Sequence, residues 1–244
     1  MGEKIKLGFD IHTQAPVCAD LRKTGHLCIT GGTGSGKTTA TLFALNSVLN
    51  LPIEIDLSIG DFKKSGDYKG LSRHFAEFDK TTELIDSFYE EFSSTPENSP
   101  GIKILLLDEY AGYIVWLMQQ DKKKCEEIKG KISSLLMLGR SRHCFVWCIQ
   151  QRMTAQLFPS GIGAIDNFQI CMGLGRLSPD SRKSLFAGER LSEEGLEDNF
   201  QPGQGQGLCL IDGQPLRAIQ IPYVSDTGKL KSLLARKASM RGCV

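Results

Sequence analysis

Eight consecutive residues have the composition and spacing of a phosphate-binding loop. They fit the pattern G-x-x-x-x-G-K-[ST] in full: Gly31, Gly32, Thr33, Gly34, Ser35, Gly36, Lys37 and Thr38. The glycines let backbone N–H groups point at phosphate oxygens, the lysine reaches the β- and γ-phosphates, and the threonine hydroxyl ligates Mg²⁺. Thr39 follows at the start of a predicted helix, whose positive N-terminal end favours anions. An apolar strand precedes the loop, so we expect residues 31–39 to bind ATP with Mg²⁺ and do not read them as a structural turn.

Two acids end an apolar run at residues 104–107. Asp108 emerges at the carboxyl end of the predicted strand, where it can hold Mg²⁺ through water. Glu109 is then placed to polarise the attacking water, a general-base role worth about 10²–10⁴-fold in rate. Acids in this position also serve as helix caps, but their occurrence beside a phosphate-binding loop favours catalysis.

A third polar group follows the buried strand predicted at residues 144–149. An amide at this strand end can touch the γ-phosphate and report hydrolysis. We assign that role to Gln150, with Gln151 as the alternative.

Three arginines are candidates for stabilising the charge of the transition state, a contribution of about 10³–10⁵ in phosphoryl transfer. They are Arg140, Arg142 and Arg182. Each could equally be a solvated surface cation. Since no arginine lies in the loop or at the acid pair, we expect the arginine to come from a neighbouring subunit.

Strands and helices alternate along the chain. We predict strands at 4–9, 26–30, 53–59, 102–107, 144–149 and 168–173, helices at 37–49, 81–93, 121–138 and 179–187, a hairpin at 207–212 and 215–221, and a basic helix from about 226. This alternation predicts an α/β fold with a doubly wound, mainly parallel sheet, followed by the C-terminal hairpin and helix. Ligands of such sheets bind at the carboxyl ends of the strands.

The composition is that of an ordinary globular protein, and it limits the choice of partners. The 244 residues carry 29 Lys+Arg against 28 Asp+Glu, a net charge of +1. A protein that coats DNA would carry a basic excess, so contact with nucleic acid requires a local patch or assembly into a ring. The eight cysteines form no Cys-x-x-Cys pair, and we interpret them as buried, reduced thiols and propose no zinc site.

The longest apolar run, residues 114–118, is far shorter than the ~20 residues of a membrane helix. The first six residues also lack the apolar core of a signal peptide. We therefore expect a cytoplasmic protein without a membrane segment of its own.

The motifs that flank the loop and the acids resemble those of one family. They lie at residues 7–11, 19–21, 25–27, 61–63, 180–182 and 224–226. In order and spacing they are similar to those of the FtsK/SpoIIIE family of DNA translocases, within the FtsK–HerA branch of RecA-like motors. The resemblance runs from about residue 6 to residue 231.

The resemblance implies a single RecA-like motor domain over residues 1–244 that works as a ring, a hexamer by analogy. Double-stranded DNA would pass through the pore, and each nucleotide would lie between two subunits. The residues that match the family's nucleotide machinery are Lys37, Thr38, Asp108, Glu109 and Gln150. Arg140 and Arg182 match arginines near its subunit contact.

Three features usual in the family are not identified in this sequence: an N-terminal membrane region, an extra α/β lobe and a C-terminal winged helix. The sequence is therefore most similar to the compact FtsK-like proteins of conjugative and mobile elements. This similarity implies a coupling ATPase recruited to the inner face of the membrane by a membrane-anchored partner of a transfer apparatus. Two alternatives remain: an FtsK-like ATPase that drives polypeptide secretion, and a nucleotide-binding regulatory module without sustained turnover.

Overall fold

Ten strands form one sheet in the computed structural model, which describes residues 3–160, 163–186, 189 and 200–243. The strands are β1 (Lys4–Asp10), β2 (Pro16–Asp20), β3 (Leu27–Gly31), β4 (Ile55–Asp61), β5 (His74–Glu77), β6 (Ile102–Asp108), β7 (Cys144–Gln150), β8 (Ile170–Leu174), β9 (Gln206–Ile211) and β10 (Arg217–Gln220). The helices are α1 (Lys37–Val48), α2 (Thr81–Ser94), α3 (Tyr110–Gln120), α4 (Lys122–Arg142), α5 (Pro179–Leu185) and α6 (Thr227–Met240).

The sheet has a parallel part and an antiparallel part. Its strand order is β2-β1-β10-β9-β8-β3-β7-β6-β4-β5. The strands from β8 to β5 run parallel to their neighbours, whereas the pairs β8–β9, β9–β10, β10–β1 and β1–β2 are antiparallel. The predicted α/β fold with a mainly parallel sheet is confirmed. The carboxyl ends of β3, β7 and β6 therefore meet at one edge.

Alternate residues of the central strands supply two separate cores. Ile104 and Leu106 of β6 belong to the core that includes Leu42 and Leu45 of α1. Leu105 and Leu107 face the other core, which α2, α3 and α4 cover. A strand whose successive side chains are all apolar must be covered on both faces, since successive side chains point to opposite sides of the sheet. Helices therefore cover both faces of the sheet. α1 packs on the face that carries the even-numbered side chains of β6.

The sequence analysis did not predict three elements: β2, β5 and α3. β2 is an edge strand that starts at a proline, and β5 is a four-residue edge strand with half-buried side chains. α3 begins directly after Glu109, and its continuous apolar run hides the helical period. The predicted helix at 179–187 ends at Leu185, and residue 187 lies outside the described residues. The other predicted elements are present, with ends that differ by a few residues.

The cysteines are free thiols, and all of them except Cys18 are buried. Burial raises the pKa of Cys28 to about 12 and that of Cys144 to about 11. Such thiols stay protonated and act as small apolar side chains, as the sequence predicted.

Among the described residues, no helix combines the length and the apolar character needed to cross a membrane.

Two glycines of α4 provide a test of how tightly this helix packs on β7. A β-carbon on Gly139 would overlap the carbonyl oxygen of Cys144, whereas one on Gly130 would meet nothing within 4 Å. We expect Gly139→Ala to lower the free energy of unfolding by about 1–3 kcal/mol through overpacking. Gly130→Ala should raise it by about 0.5–1 kcal/mol, because alanine favours a helix interior over glycine. Urea unfolding of both variants checks the pair, and equal effects would contradict the packing described.

Candidate nucleotide site

The phosphate-binding loop lies between the end of β3 and the start of α1. β3 is buried along its whole length, so the loop emerges at the carboxyl edge of the sheet between β8 and β7. Gly34 and Gly36 have φ angles of 78° and 100°, a left-handed backbone that only glycine adopts without strain. The loop therefore has the curled backbone that its sequence predicted.

Neighbouring backbone holds the loop from the side of β8 and β9. A β-carbon on Gly31 would overlap the carbonyl oxygen of Leu174, and one on Gly36 would lie 3.2 Å from the Cα of Gly205. The Gly205 N–H donates to the Ser35 carbonyl at 3.0 Å. The glycines thus serve two purposes, because they permit the turn and also let two other segments approach it.

Lys37 folds back over the loop. Its ammonium group donates to the carbonyl oxygens of Gly31 at 2.7 Å and Gly32 at 2.9 Å. Burial lowers the pKa of Lys37, and the negative charges of Glu109 and Asp108 oppose that shift. The structure therefore brings the loop and the acid pair within electrostatic reach, although β7 separates their strands.

Asp108 ends β6 beside a second acid. Asp61, the last residue of β4, is its partner in the strand register and is fully buried. Burial, followed by the charge of Asp61, raises the pKa of Asp108 to about 7. Asp61 itself accepts hydrogen bonds from the Ser65 and Gly66 amides at 3.1 and 2.8 Å. Sequence reasoning noted Asp61 only as part of a family motif, and the register reveals its influence on Asp108.

Glu109 stands at the junction of β6 and α3 in a strained conformation. Its φ of 59° and ψ of 45° lie in the left-handed region, which costs a residue other than glycine about 1–3 kcal/mol. Its N–H donates to the Ile149 carbonyl at 2.7 Å, and its carboxylate forms an ion pair with Lys63. Glu109 is only 8% exposed. The proposed general base is therefore fixed at the edge of the sheet by its backbone and held by a lysine from the end of β4.

Gln150 is the last residue of β7, and its side-chain amide already has hydrogen-bond partners. The side chain is fully buried, and its Nε2 donates to Met153 Sδ at 2.8 Å and to Cys28 Sγ at 3.7 Å. Its Oε1 is buried without a partner among the described residues. Gln151 is exposed and lines a cleft that includes Gly32. Contact of Gln150 with the γ-phosphate stays a prediction, and it requires this amide to turn.

The candidate arginines have different surroundings. Arg142 donates to the carbonyl oxygens of Phe92, Ser93 and Thr95 at 3.0–3.2 Å, so it closes the C-terminal end of α2. Arg140, in the last turn of α4, is exposed. The fixed contacts of Arg142 indicate a structural role, whereas Arg140 and Arg182 are exposed and available for a ligand or a partner.

Arg140 and Arg182 lie at opposite edges of the sheet. The charge of Arg140 acts on His26, at the amino end of β3, whereas Arg182 lines a cavity with Gly175, beyond the carboxyl end of β8. At about 3.3 Å per residue, the five residues of β3 separate these edges by roughly 16 Å. Arg140 is therefore remote from the loop of its own subunit.

Two arginines that sequence reasoning did not assign lie closer to the loop. Arg152 and Arg176 line a cleft of about 400 Å³ together with Gly32 and Ser178. Each follows the carboxyl end of a buried strand by two residues, β7 in one case and β8 in the other. A charged residue at or just beyond the carboxyl end of a buried strand, the signal that also identified Asp108, could have found them.

The oxygen ligands available for a metal are few. No group of three or more His, Cys, Asp or Glu residues suited to a metal ion occurs within residues 3–160, 163–186, 189 and 200–243. Mg²⁺ at nucleotide sites keeps several waters and takes one or two protein oxygens plus phosphate oxygens. Thr38 and Asp108 fit that requirement.

The fold is that of RecA-like P-loop domains, and residues 31–38 have the sequence and the curled backbone of a phosphate-binding loop. Residues 2–75 match the model of the FtsK/SpoIIIE family, and this segment spans β1, β2, the loop, α1 and Asp61. This segment is therefore similar to the FtsK/SpoIIIE family, as the resemblance implied.

Solved structures show the same fold at low sequence identity. The cytoplasmic domain of the type VII secretion ATPase EccC of Thermomonospora curvata has a TM-score of 0.70 and 17% identity, covering 96% of this chain and 31% of that one. The pCW3 conjugation coupling protein TcpA with ATPγS also has a TM-score of 0.70 and 17% identity, over 96% of this chain and 71% of that one.

The bacterial conjugative coupling protein TrwB has a TM-score of 0.56 and 10% identity, over 91% of this chain and 90% of that one. This chain spans less than a third of EccC. No curated protein matches it in sequence.

The raised pKa of Asp108 gives a prediction for the protein without metal or nucleotide. Because the folded pKa of about 7 lies above the ordinary value of 3.8, the folded state favours the protonated acid, and stability falls as the pH rises between these values. Asp108→Asn mimics the protonated form. We expect this variant to melt several degrees higher than the parent at pH 8, with the difference closing toward pH 4.

Thermal unfolding in EDTA across this pH range measures the effect. Glu97→Gln, at an exposed loop position, is the matched control and should leave the melting profile unchanged. A lower melting temperature of Asp108→Asn at pH 8 would contradict the assigned burial and charge repulsion.

Proposed function

We propose that this domain hydrolyses ATP at subunit interfaces of a ring, a hexamer by family analogy, to move double-stranded DNA, as in conjugative transfer. One observation carries the proposal: Lys37 of the phosphate-binding loop lies within electrostatic reach of Asp108 and Glu109. The match of residues 2–75 to the FtsK/SpoIIIE family supports the choice of motor.

In this proposal, binding of ATP changes the interaction partners of Lys37 and Glu109. The loop amides and Lys37 bind the phosphates, so the ammonium group leaves the carbonyls of Gly31 and Gly32. Thr38 and Asp108 would hold Mg²⁺, which would supply neutralisation of phosphate charge. Glu109 accepts a proton from the attacking water once its carboxylate is released from Lys63. The ion pair thus keeps the general base inactive until the site is filled.

Assembly into a ring would place Arg140 at the nucleotide of a neighbouring subunit. Arg140 cannot reach its own loop, since it lies at the opposite edge of the sheet. The preceding residues Met137 and Leu138 are 51% and 57% exposed. Exposed apolar side chains next to an exposed arginine are typical of a subunit contact. Arg182 and the nearby Arg176, at the loop edge, are candidates for the opposite side of that interface.

Two solved structures of similar fold are conjugation coupling proteins, TcpA and TrwB. For this chain we infer a cytoplasmic motor that a membrane-anchored partner of a transfer apparatus recruits to the inner face of the membrane. Arg152, Arg176 and Arg182 are the local basic patch that DNA contact requires in a chain of net charge +1.

Polypeptide secretion is the second candidate, because near-neutral charge suits a polypeptide substrate better than DNA. EccC, which has the same TM-score as TcpA, is a type VII secretion ATPase.

Steady-state ATP hydrolysis with and without duplex DNA at low salt separates these functions. We expect duplex DNA to raise the rate several-fold, and Glu109→Gln to lower turnover about 10²–10⁴-fold while ATP still binds. Lys37→Ala should lose binding as well. Turnover that duplex DNA does not change would favour secretion, and binding without turnover in the parent protein would identify a regulatory module.

Mixing two inactive variants tests whether Arg140 acts in trans. Arg140→Ala keeps an intact loop, and Lys37→Ala keeps the arginine, so neighbours in a mixed ring complete each other's site. With random mixing at equal amounts we expect about one quarter of the parent activity, because an interface needs one subunit of each kind. If the mixture of Arg140→Ala with Lys37→Ala has only the summed activity of the two separate preparations, an arginine shared between subunits is excluded. Arg140→Lys is the control for charge without the guanidinium geometry.

A further inference from the structure

A cavity borders the phosphate-binding loop on the side of the C-terminal hairpin. Its volume is about 200 Å³, and its lining includes Gly36 and Thr39 from the loop and α1. Gly205 and Gln220 line it from the hairpin, and Tyr223 from the segment after β10. The phosphate cradle and the hairpin thus share one cavity.

Backbone hydrogen bonds fix the distance between this cavity and the loop. The Gly205 N–H donates to the Ser35 carbonyl at 3.0 Å, and the Ile221 N–H donates to the Gly205 carbonyl at 2.7 Å. The Gln220 amide donates to the carbonyls of Gly205 and Ile221 at 3.2 and 2.7 Å. Since Tyr223 comes two residues after Ile221, its backbone is tied to the loop through two consecutive hydrogen bonds.

The sheet order determines which part of a nucleotide reaches this cavity. The acid pair lies beyond β7 on one side of β3, and β9 and β10 lie beyond β8 on the other. The γ-phosphate must face the acids, so the nucleoside end of the molecule leaves the loop toward the hairpin. The lining of the cavity continues from Thr39, the residue after the proposed Mg²⁺ ligand Thr38.

Tyr223 is an aromatic side chain without packing of its own. It is 91% exposed, the largest exposure of any large hydrophobic side chain in the described part of the chain. Pro222 precedes it and has a φ angle fixed by its ring, so the backbone that carries Tyr223 is restricted at that point. An exposed aromatic ring at the rim of a cavity of mixed polarity provides a surface on which a planar base can stack.

We propose that this cavity holds the ribose and base of the bound nucleotide and that Tyr223 stacks on a purine base. The inference rests on the proposed function, since it requires the triphosphate to occupy the loop. Tyr223 would then raise the affinity for a nucleotide through contact with its base, and it would not change the affinity for the phosphates alone.

Calorimetric titration of the whole chain in Mg²⁺, with ATPγS and with inorganic tripolyphosphate, tests the proposal. Base–aromatic stacking predicts that Tyr223→Ala weakens ATPγS binding about tenfold and leaves tripolyphosphate binding unchanged. Tyr223→Phe, which keeps the ring, should bind ATPγS like the parent. Met240→Ala, at a residue that is 82% exposed on α6, is the control for loss of an exposed apolar side chain.

Two results would overturn the inference while the proposed function survives: unchanged ATPγS binding by Tyr223→Ala, or equal weakening of ATPγS and tripolyphosphate. In both cases Lys37→Ala would still lose binding of both ligands. If the parent chain binds neither ligand, the proposed function and the purine site fail together.

Discussion

The close approach of three backbone segments to one another is the constraint on which the nucleotide site depends. The loop after β3 passes the end of β8 at Gly31 and the turn before β9 at Gly36, and in both places a β-carbon would meet neighbouring backbone. Hydrogen bonds from Gly205 to Ser35 and from Ile221 to Gly205 then tie the loop to the antiparallel part of the sheet. Since phosphate binding depends on the direction of a few N–H groups, the hairpin near the C-terminus determines the geometry of a loop near the N-terminus. This coupling explains why the parallel and antiparallel strands form one sheet around the site.

Three charged groups of the site already have partners in the protein. Lys37 bonds to carbonyls of its own loop, Lys63 pairs with Glu109, and Asp61 accepts from the amides of Ser65 and Gly66. Asp108, surrounded by buried and negative groups, has a pKa near 7 and is partly protonated at neutral pH. In the proposed mechanism, binding of a magnesium nucleotide would exchange some of these interactions for new ones. Such a site would hold its base inactive without substrate, at the cost of some affinity.

The groups proposed to act in the motor lie at two opposite edges of the sheet. The carboxyl edge holds the loop, the acids and the arginines that follow β7 and β8, whereas the amino edge holds Arg140 beside exposed Met137 and Leu138. A ring in which the amino edge of one subunit meets the carboxyl edge of the next would use both surfaces. Such a head-to-tail contact is the kind of interface that closes into a ring when its rotation permits.

The sequence by itself determined the chemistry and the order of the elements. Residues 31–38 predict a curled phosphate-binding loop, because the glycines and the following helix are local features. The apolar run before Asp108 predicts a buried strand in the same way. α3 was missed because its apolar side chains extend around the helix, and β5 because a short edge strand with half-buried residues has no strong pattern.

Only the tertiary structure determined which groups meet. The strand register brought Asp61 beside Asp108, and the ends of β4 and β6 brought Lys63 to Glu109. Packing turned the Gln150 amide toward Met153 and fixed Arg142 at the end of α2. Except for the contact between Gln150 and Met153, these contacts join residues far apart in the chain, and local side-chain patterns do not encode such distances. The sequence could therefore name the reactive groups, while the sheet order and register decided their surroundings and their charge.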